Sequence, residues 1–381
     1  MNNLTNNKLW ISFLPWAELK ESVKIGPITF WPYFGEDNQN KIADPEIKAS
    51  LNKLFDSFVD NQGKPVETIT ICSYNNDNLY ELTDSKYKIL REVVDILIFS
   101  FIASATKIIV SNRNHGGGWL PPTADTFELF SFRLPDSLQD NFISFQIDYS
   151  IGPSINVYEI GNFKLPKPYT TGGPLWLGFD EKLIDGFDNC FSHKFHEEDE
   201  RNRLFRSLEW FRLAHENAQF SKLSKIVMMA TAFEILLKFG KEKKEDFVKY
   251  MENNIASDHF LKDTRTDKKE KHYTYSLAGW WAWDFYNLRN HIVHGDNISA
   301  EELIYNKDPI SHLVVADLVF SECIIQKLID YNCIGNDIHS SEVLNNLYQN
   351  NESKDKCIES WIKWTFGFDA IYEALGWIHN K

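Results

Sequence analysis

Apolar residues change their spacing near residue 200, and that change constrains the fold more than any other feature of the chain. Before it, hydrophobic residues alternate in short runs bounded by Gly, Pro and Asn; after it, they recur every three or four residues over long windows. Alternation buries one side of a strand, whereas a 3.6-residue period lays an apolar stripe along a helix. The expected fold is therefore an α+β N-terminal domain over residues 1–200 followed by an all-α bundle over 201–335. Residues 336–381 are expected to form a linker and a last amphipathic helix. At 381 residues the chain is long enough for two or three domains with cores of their own.

In the first part, strands are predicted over Leu9–Leu14, Ile28–Tyr33, Thr68–Cys72, Phe127–Leu134, Asn141–Tyr149 and Ile155–Ile160, where β-branched and aromatic residues cluster. Helical spacing marks Pro45–Asp60 and Ser85–Ala105, the latter with Asp84 or Ser85 as its cap. Gly116–Gly118 sits in a loop that lacks the Lys-Ser/Thr of a phosphate-binding loop. Lys164–Pro174, with three prolines and two glycines, is a connector.

In the second part, helices are predicted over Arg203–Phe220, Ser224–Phe239, Tyr273–His294, Pro309–Tyr331 and Cys357–His379. Gly240 is placed to stop the second of these and Pro309 to open the fourth. Glu234 stands alone among apolar residues, as an edge residue or as something more. Trp280, Trp281 and Trp283 read as core rings.

Charge narrows the function. The net charge of −14 argues against a protein that coats nucleic acid non-specifically. Residues 1–200 hold 17 Lys and Arg against 28 Asp and Glu, and residues 201–381 hold 23 against 26. The second part is therefore nearly neutral, and it contains two basic segments. One carries Lys241, Lys243 and Lys244, the other Lys268, Lys269 and Lys271. They are either solvated ends and loops or contacts to an RNA backbone. Five cysteines without a CxxC pair fit reduced thiols and a cytoplasmic location. The first residues lack signal-peptide character. The longest apolar stretch has an uncharged run of only 11 residues, Ile96–Thr106, too short to span a membrane.

Reactive side chains concentrate in Phe285–Asp296, where Arg289, Asn290, His291 and His294 precede Gly295. Phe285, Leu288, Ile292 and Val293 are expected to bury one side. Arg289 and His294 lie about 140° apart on a regular helix, so they converge only through the arginine's length, a break at Gly295 or a second copy of the chain. Their chemistry suits RNA cleavage. RNA brings its own 2′-hydroxyl nucleophile, a histidine moves protons near neutral pH, and a guanidinium fork matches two phosphate oxygens. Asn290 can hold a phosphate oxygen or orient the histidine. No cofactor or metal is needed.

Arg289-Asn290-His291-Ile292-Val293-His294 resembles the Arg-polar-x-x-x-His signature of the HEPN superfamily, all-helical nucleases of prokaryotic defence and toxin systems. Leu288 to Gly295, with the preceding Ala232–Leu237, is most similar to the ApeA-like branch; the resemblance covers roughly residues 201–335. It implies a metal-independent endoribonuclease with Arg289 and His294 as the matched pair and Asn290 as the matched polar residue. It also implies a homodimer with one composite site, answering to a regulatory protein or a phage-derived trigger. Two other readings stay open. In one, the bundle dimerises or binds RNA or a partner without cutting; Arg289 then pairs with Asp284 or Asp296, and His294 caps the helix. In the other, His291 and His294, three apart, bind a metal, as His193 and His196 could in the charged linker.

Overall fold

The computed structural model describes residues 9–34, 42, 44–111, 123–134, 142–146, 155–158, 164–168, 178–193, 195, 198–216, 220–256, 260–266, 270–305, 310–334, 375 and 377. The chain divides into two compact units. One comprises Met1–Phe101, Thr123–His193 and His215–Ala218, the other Ile102–Pro122, Lys194–Ala214 and Gln219–Lys381.

The first unit is built on an antiparallel sheet. Its strands are β1 (Leu9–Leu14), β2 (Val23–Ile25), β3 (Ile28–Tyr33), β5 (Ile69–Tyr74), β6 (Tyr80–Glu81), β7 (Phe130–Arg133), β8 (Phe142–Gln146) and β9 (Ile155–Tyr158). They run in the order β2-β3-β5-β1-β7-β8-β9, with β6 also paired to β1. A short parallel pair, β4 (Phe58–Val59) and β10 (Leu165–Pro166), lies apart. Helix α1 (Pro45–Phe55) opens on Asp44, whose Oδ1 accepts from Glu46 N and Ile47 N.

Aromatic alternation explains this core. Phe13 packs against Phe55 at 5.0 Å, Phe58 at 5.3 Å and Phe132 at 5.5 Å, and Trp16, Trp31 and Leu54 are buried in the same cluster. Helix α2 (Asp84–Ser111) is capped not by Asp84 or Ser85 but by Thr83, whose Oγ1 accepts from Lys86 N at 3.3 Å. Helix α3 (Glu181–Ser192) follows, with Asp180 as its cap.

The second unit is mostly helical: α4 (Glu198–His215), α5 (Lys222–Leu237), α6 (Lys243–Tyr250), α7 (Leu277–His294) and α8 (His312–Asp330). Hairpin β11 (Lys262–Thr266) and β12 (His272–Ser276) is inserted between α6 and α7, and β13 (Ile304–Tyr305) pairs with β14 (Ile310–Ser311) before α8. Rings from several helices meet in one core. Phe233 of α5 lies 4.8 Å from Phe247, 5.3 Å from Phe320 and 6.1 Å from Phe285, and Phe211 stacks on Phe320. Trp281 stacks on Phe285 at 5.1 Å and meets Trp377, both indoles being fully buried.

Several element boundaries differ from expectation. The helix expected over Pro45–Asp60 ends at Phe55 and is followed by β4, that over Ser85–Ala105 runs on to Ser111, and that over Arg203–Phe220 spans Glu198–His215. Tyr273–Ser276 is strand, so α7 begins at Leu277; Lys262–Thr266 is its partner strand rather than a helix end or loop. Helix α5 stops not at Gly240 but at Lys238, left-handed at φ 53°. Gly240 instead donates its N–H to Asp246 Oδ2 at 2.6 Å. Helix α8 opens on Ser311, whose Oγ accepts from Leu313 N. Outside the described residues lie Pro309, Gly116–Gly118, most of Lys164–Pro174, His196, Lys268, Lys269 and, apart from Leu375 and Trp377, the helix expected over 357–379.

Candidate functional site

The site grows from the way α7 is held at its two ends. At the start, Ser276 caps the helix: its Oγ accepts from Gly279 N at 3.0 Å. Ser276 N and Oγ both donate to Glu252 Oε1, at 2.9 and 2.5 Å. Glu252 belongs to a single π-helical turn, Met251–Ile255, that follows α6. A Cβ at Gly279 would run into Glu252 Oε1, so only glycine lets the carboxylate reach the cap.

At the other end α7 closes in a Schellman motif. Asp296 N donates to His291 O at 3.0 Å and Gly295 N to Ile292 O at 3.1 Å, with Gly295 left-handed at φ 79°. The carbonyls of His291 and Ile292 are thus satisfied by backbone. His294 is not needed as a cap, and its exposed imidazole makes no hydrogen bond or ion pair among the described residues. Of the apolar residues expected to bury this end, Phe285 and Leu288 are buried and Ile292 is half-buried. Val293 is 52% exposed.

Arg289 is half-buried one turn and a half earlier. Its Nη1 donates to Asn290 Oδ1 at 3.2 Å, and its Nη2 lies 3.3 Å from Glu234 Oε1 on α5. The carboxylate partner is therefore neither Asp284 nor Asp296. Asp284 pairs with Arg265 at 3.0 Å, and burial raises its pKa above the ordinary aspartate value despite that partner. Glu234 is the hub. Its Oε1 also accepts from Tyr286 OH at 2.6 Å, and its Oε2 takes Lys243 Nζ of α6. Burial, then the bond to Glu234, pushes the Tyr286 phenol well up, so it stays a donor. Two cations surround one carboxylate, leaving the cluster one positive charge. Arg289 Nε–H, buried, has no acceptor among the described residues.

The other basic residues spread out. Lys244 Nζ sits 3.5 Å above the Trp283 ring, while Lys241 and Lys271 are exposed. Arg289, Asn290 and Lys243 are thus brought together around Glu234; His294 is on the same helix but not in contact with them. Among the described residues no group of three or more His, Cys, Asp or Glu is placed to hold a metal ion. None of the helices among them is long and apolar enough to cross a membrane.

Comparison with family models, with curated proteins and with solved structures finds no match. Fold and geometry together define an α+β unit followed by a mostly helical one, with a cationic cluster and an unengaged histidine at the end of one buried helix.

Proposed function

We propose that the chain is a metal-independent endoribonuclease of the HEPN kind, acting as an effector of antiviral defence or as a toxin. One observation carries the reading: Arg289 is fixed by Glu234 and Asn290 at the exit of α7, while the nearby His294 is exposed and committed to nothing else. In this reading Arg289 steadies the phosphate as charge develops, Asn290 holds an oxygen, and one His294 takes the proton of the 2′-hydroxyl while the other gives a proton to the leaving 5′-oxygen. The pair is about 140° apart on an ideal helix. Two chains around a two-fold axis, each giving one Arg289 and one His294, would complete the site. The sheet unit, which carries most of the acidic excess, serves as sensor or regulator.

Glu234 also supports a second reading. A carboxylate shared by Arg289, Lys243 and Tyr286 suits a purely structural ion pair in a non-catalytic binding or dimerisation module. Purified protein incubated with mixed RNAs in EDTA, read on a gel, separates the two. Cutting that leaves 2′,3′-cyclic or 3′-phosphate ends, spares DNA and disappears in Arg289→Ala and His294→Ala supports the nuclease. RNA left intact at every concentration supports the binding module.

A further inference from the structure

Helix α7 carries a line of residues that meets the arginine cluster only at Asn290. Trp283, Asn287, Asn290 and His294 follow one another at spacings of four, three and four. They therefore share a stripe about 60° wide and about 16 Å long. Trp283, Asn287 and Asn290 are half-buried and His294 is exposed, so the stripe faces neither the middle of the core nor open water until its end. The side-chain amide of Asn287 makes no hydrogen bond among the described residues. Asn290 gives Oδ1 to Arg289 and keeps its NH2 group to donate.

The stripe begins on an aromatic cluster. Trp283 lies 5.5 Å from Tyr273, 6.3 Å from Tyr275 and 5.8 Å from Trp280. Two cations border these rings and differ in how far they are already neutralised. Arg265 covers Trp280 but is shared by Asp263 and Asp284. Lys244 rests on Trp283 with one carboxylate, that of Glu245, 3.8 Å away. A flat ring covered by a long, flexible cation that a phosphate can draw off its face, then two amides, then a histidine is the sequence of groups that a strand of unpaired nucleotides would use. A duplex keeps its bases stacked on one another, so only an unpaired base can lie on an indole.

We propose that this stripe is a docking track for a few nucleotides of single-stranded RNA. One base stacks against the Trp283 end of the aromatic cluster, Lys244 meets the adjoining phosphate, Asn287 hydrogen-bonds a base edge, and the NH2 group of Asn290 donates to the phosphate oxygen nearer His294. The strand then reaches His294. The inference rests on the ribonuclease reading for what happens at His294; the binding half stands without it.

The test uses the full chain, a labelled single-stranded 2′-deoxy oligonucleotide that cannot be cut, and a labelled RNA duplex, followed by fluorescence anisotropy. Trp283→Ala should weaken single-strand binding about tenfold, the loss expected when one base can no longer stack. It should raise KM more than it lowers kcat, and Trp283→Phe should recover most of the loss. Lys244→Ala should lower the slope of affinity against salt by about one phosphate contact. Asn287→Ala should weaken binding a few-fold. If Trp283→Ala fails to fold, Lys244→Ala and Asn287→Ala probe the same track from the surface. A protein that cuts RNA while all these variants bind like the parent, or that binds duplex as tightly as single strand, overturns the track and leaves the nuclease standing. Single-strand binding that Lys244→Ala and Asn287→Ala weaken, in a chain that cuts nothing, sustains the track and removes the nuclease reading.

Discussion

The two ends of α7 are made of opposite materials. The first half is fixed from all sides. Ser276 and Glu252 lock the cap, Trp280 Nε1 donates to Asp263 O at 2.9 Å, and Trp281 and Phe285 sit in the ring core. The last turn is closed by its own backbone around Gly295, and of its side chains only Ile292 is even half-buried, while His291, Val293 and His294 are exposed. A helix built this way holds reactive groups in a fixed direction while asking almost nothing of them for stability. Residues at the first end should therefore govern folding and residues at the second end chemistry.

The largest expected effect belongs to the second end. His294→Ala should cut the rate of RNA cleavage by about 100- to 10,000-fold, the range for loss of an essential acid–base group. The thermal midpoint should not move, because the imidazole has no structural duty; initial rates on labelled RNA beside a melting curve check both halves. A melting loss comparable with that of a core variant would erase the contrast between the ends.

Next comes the first end. Trp281→Ala removes a fully buried indole and should cost about 3 to 5 kcal/mol in urea unfolding. Retention of the parental urea midpoint would show that the aromatic core does not hold α7.

Between the ends, pH gives a graded test. His312 at the start of α8 lies 6.2 Å from Phe285, and burial lowers it from 6.5 to about 4. The unfolded chain thus takes up a proton at a pH where the folded chain does not. This contribution is complete above about pH 6.5 and is lost as pH falls toward 4, up to about 3 kcal/mol. Unfolding free energies at pH 7.5 and pH 5 should differ by about 2 kcal/mol from this group, and His312→Phe should flatten that part of the profile.

Smaller still is the hub. Glu234→Gln keeps the shape and removes the charge that Arg289 and Lys243 share, and it should destabilise by about 1 to 2 kcal/mol, since the pair is only partly buried. No change in the urea midpoint would count against the structural version of the ion pair. Last, Gly295→Ala places a side chain at φ 79° and should cost about 1 kcal/mol. It should disturb cleavage more than stability if the direction of the last turn matters.

What could be read from the sequence followed the range of the forces involved. Alternation and 3.6-residue spacing are local, so β1, β3, β5, α1 and α5 were legible, as was the change from sheet to helix. The hairpin before α7 was missed because the rings of Trp280–Trp283 drew the helix backwards over Tyr273–Ser276. The alternation Thr274-Tyr275-Ser276 beside charged Lys262–Thr266 is a strand signal that charge concealed. The stop of α5 at Lys238 could not be anticipated, because a left-handed lysine leaves no mark in composition. Arg289, Asn290 and His294 stood out as residue types. Glu234 was only noticed, since its partners Tyr286 and Arg289 lie more than fifty residues away in the chain.

Trp377 has a consequence in time. Its backbone O accepts from Leu261 N, its indole donates to Tyr305 OH, and its ring seals the core beside Trp281, made 96 residues earlier. At synthesis rates of about 5 to 20 residues per second, α7 waits roughly 5 to 20 seconds for that ring. Until then the nascent helix has an unfinished floor under its first half, and a finished last turn alone cannot aim anything. Translation itself thus sets the earliest moment at which this unit can work.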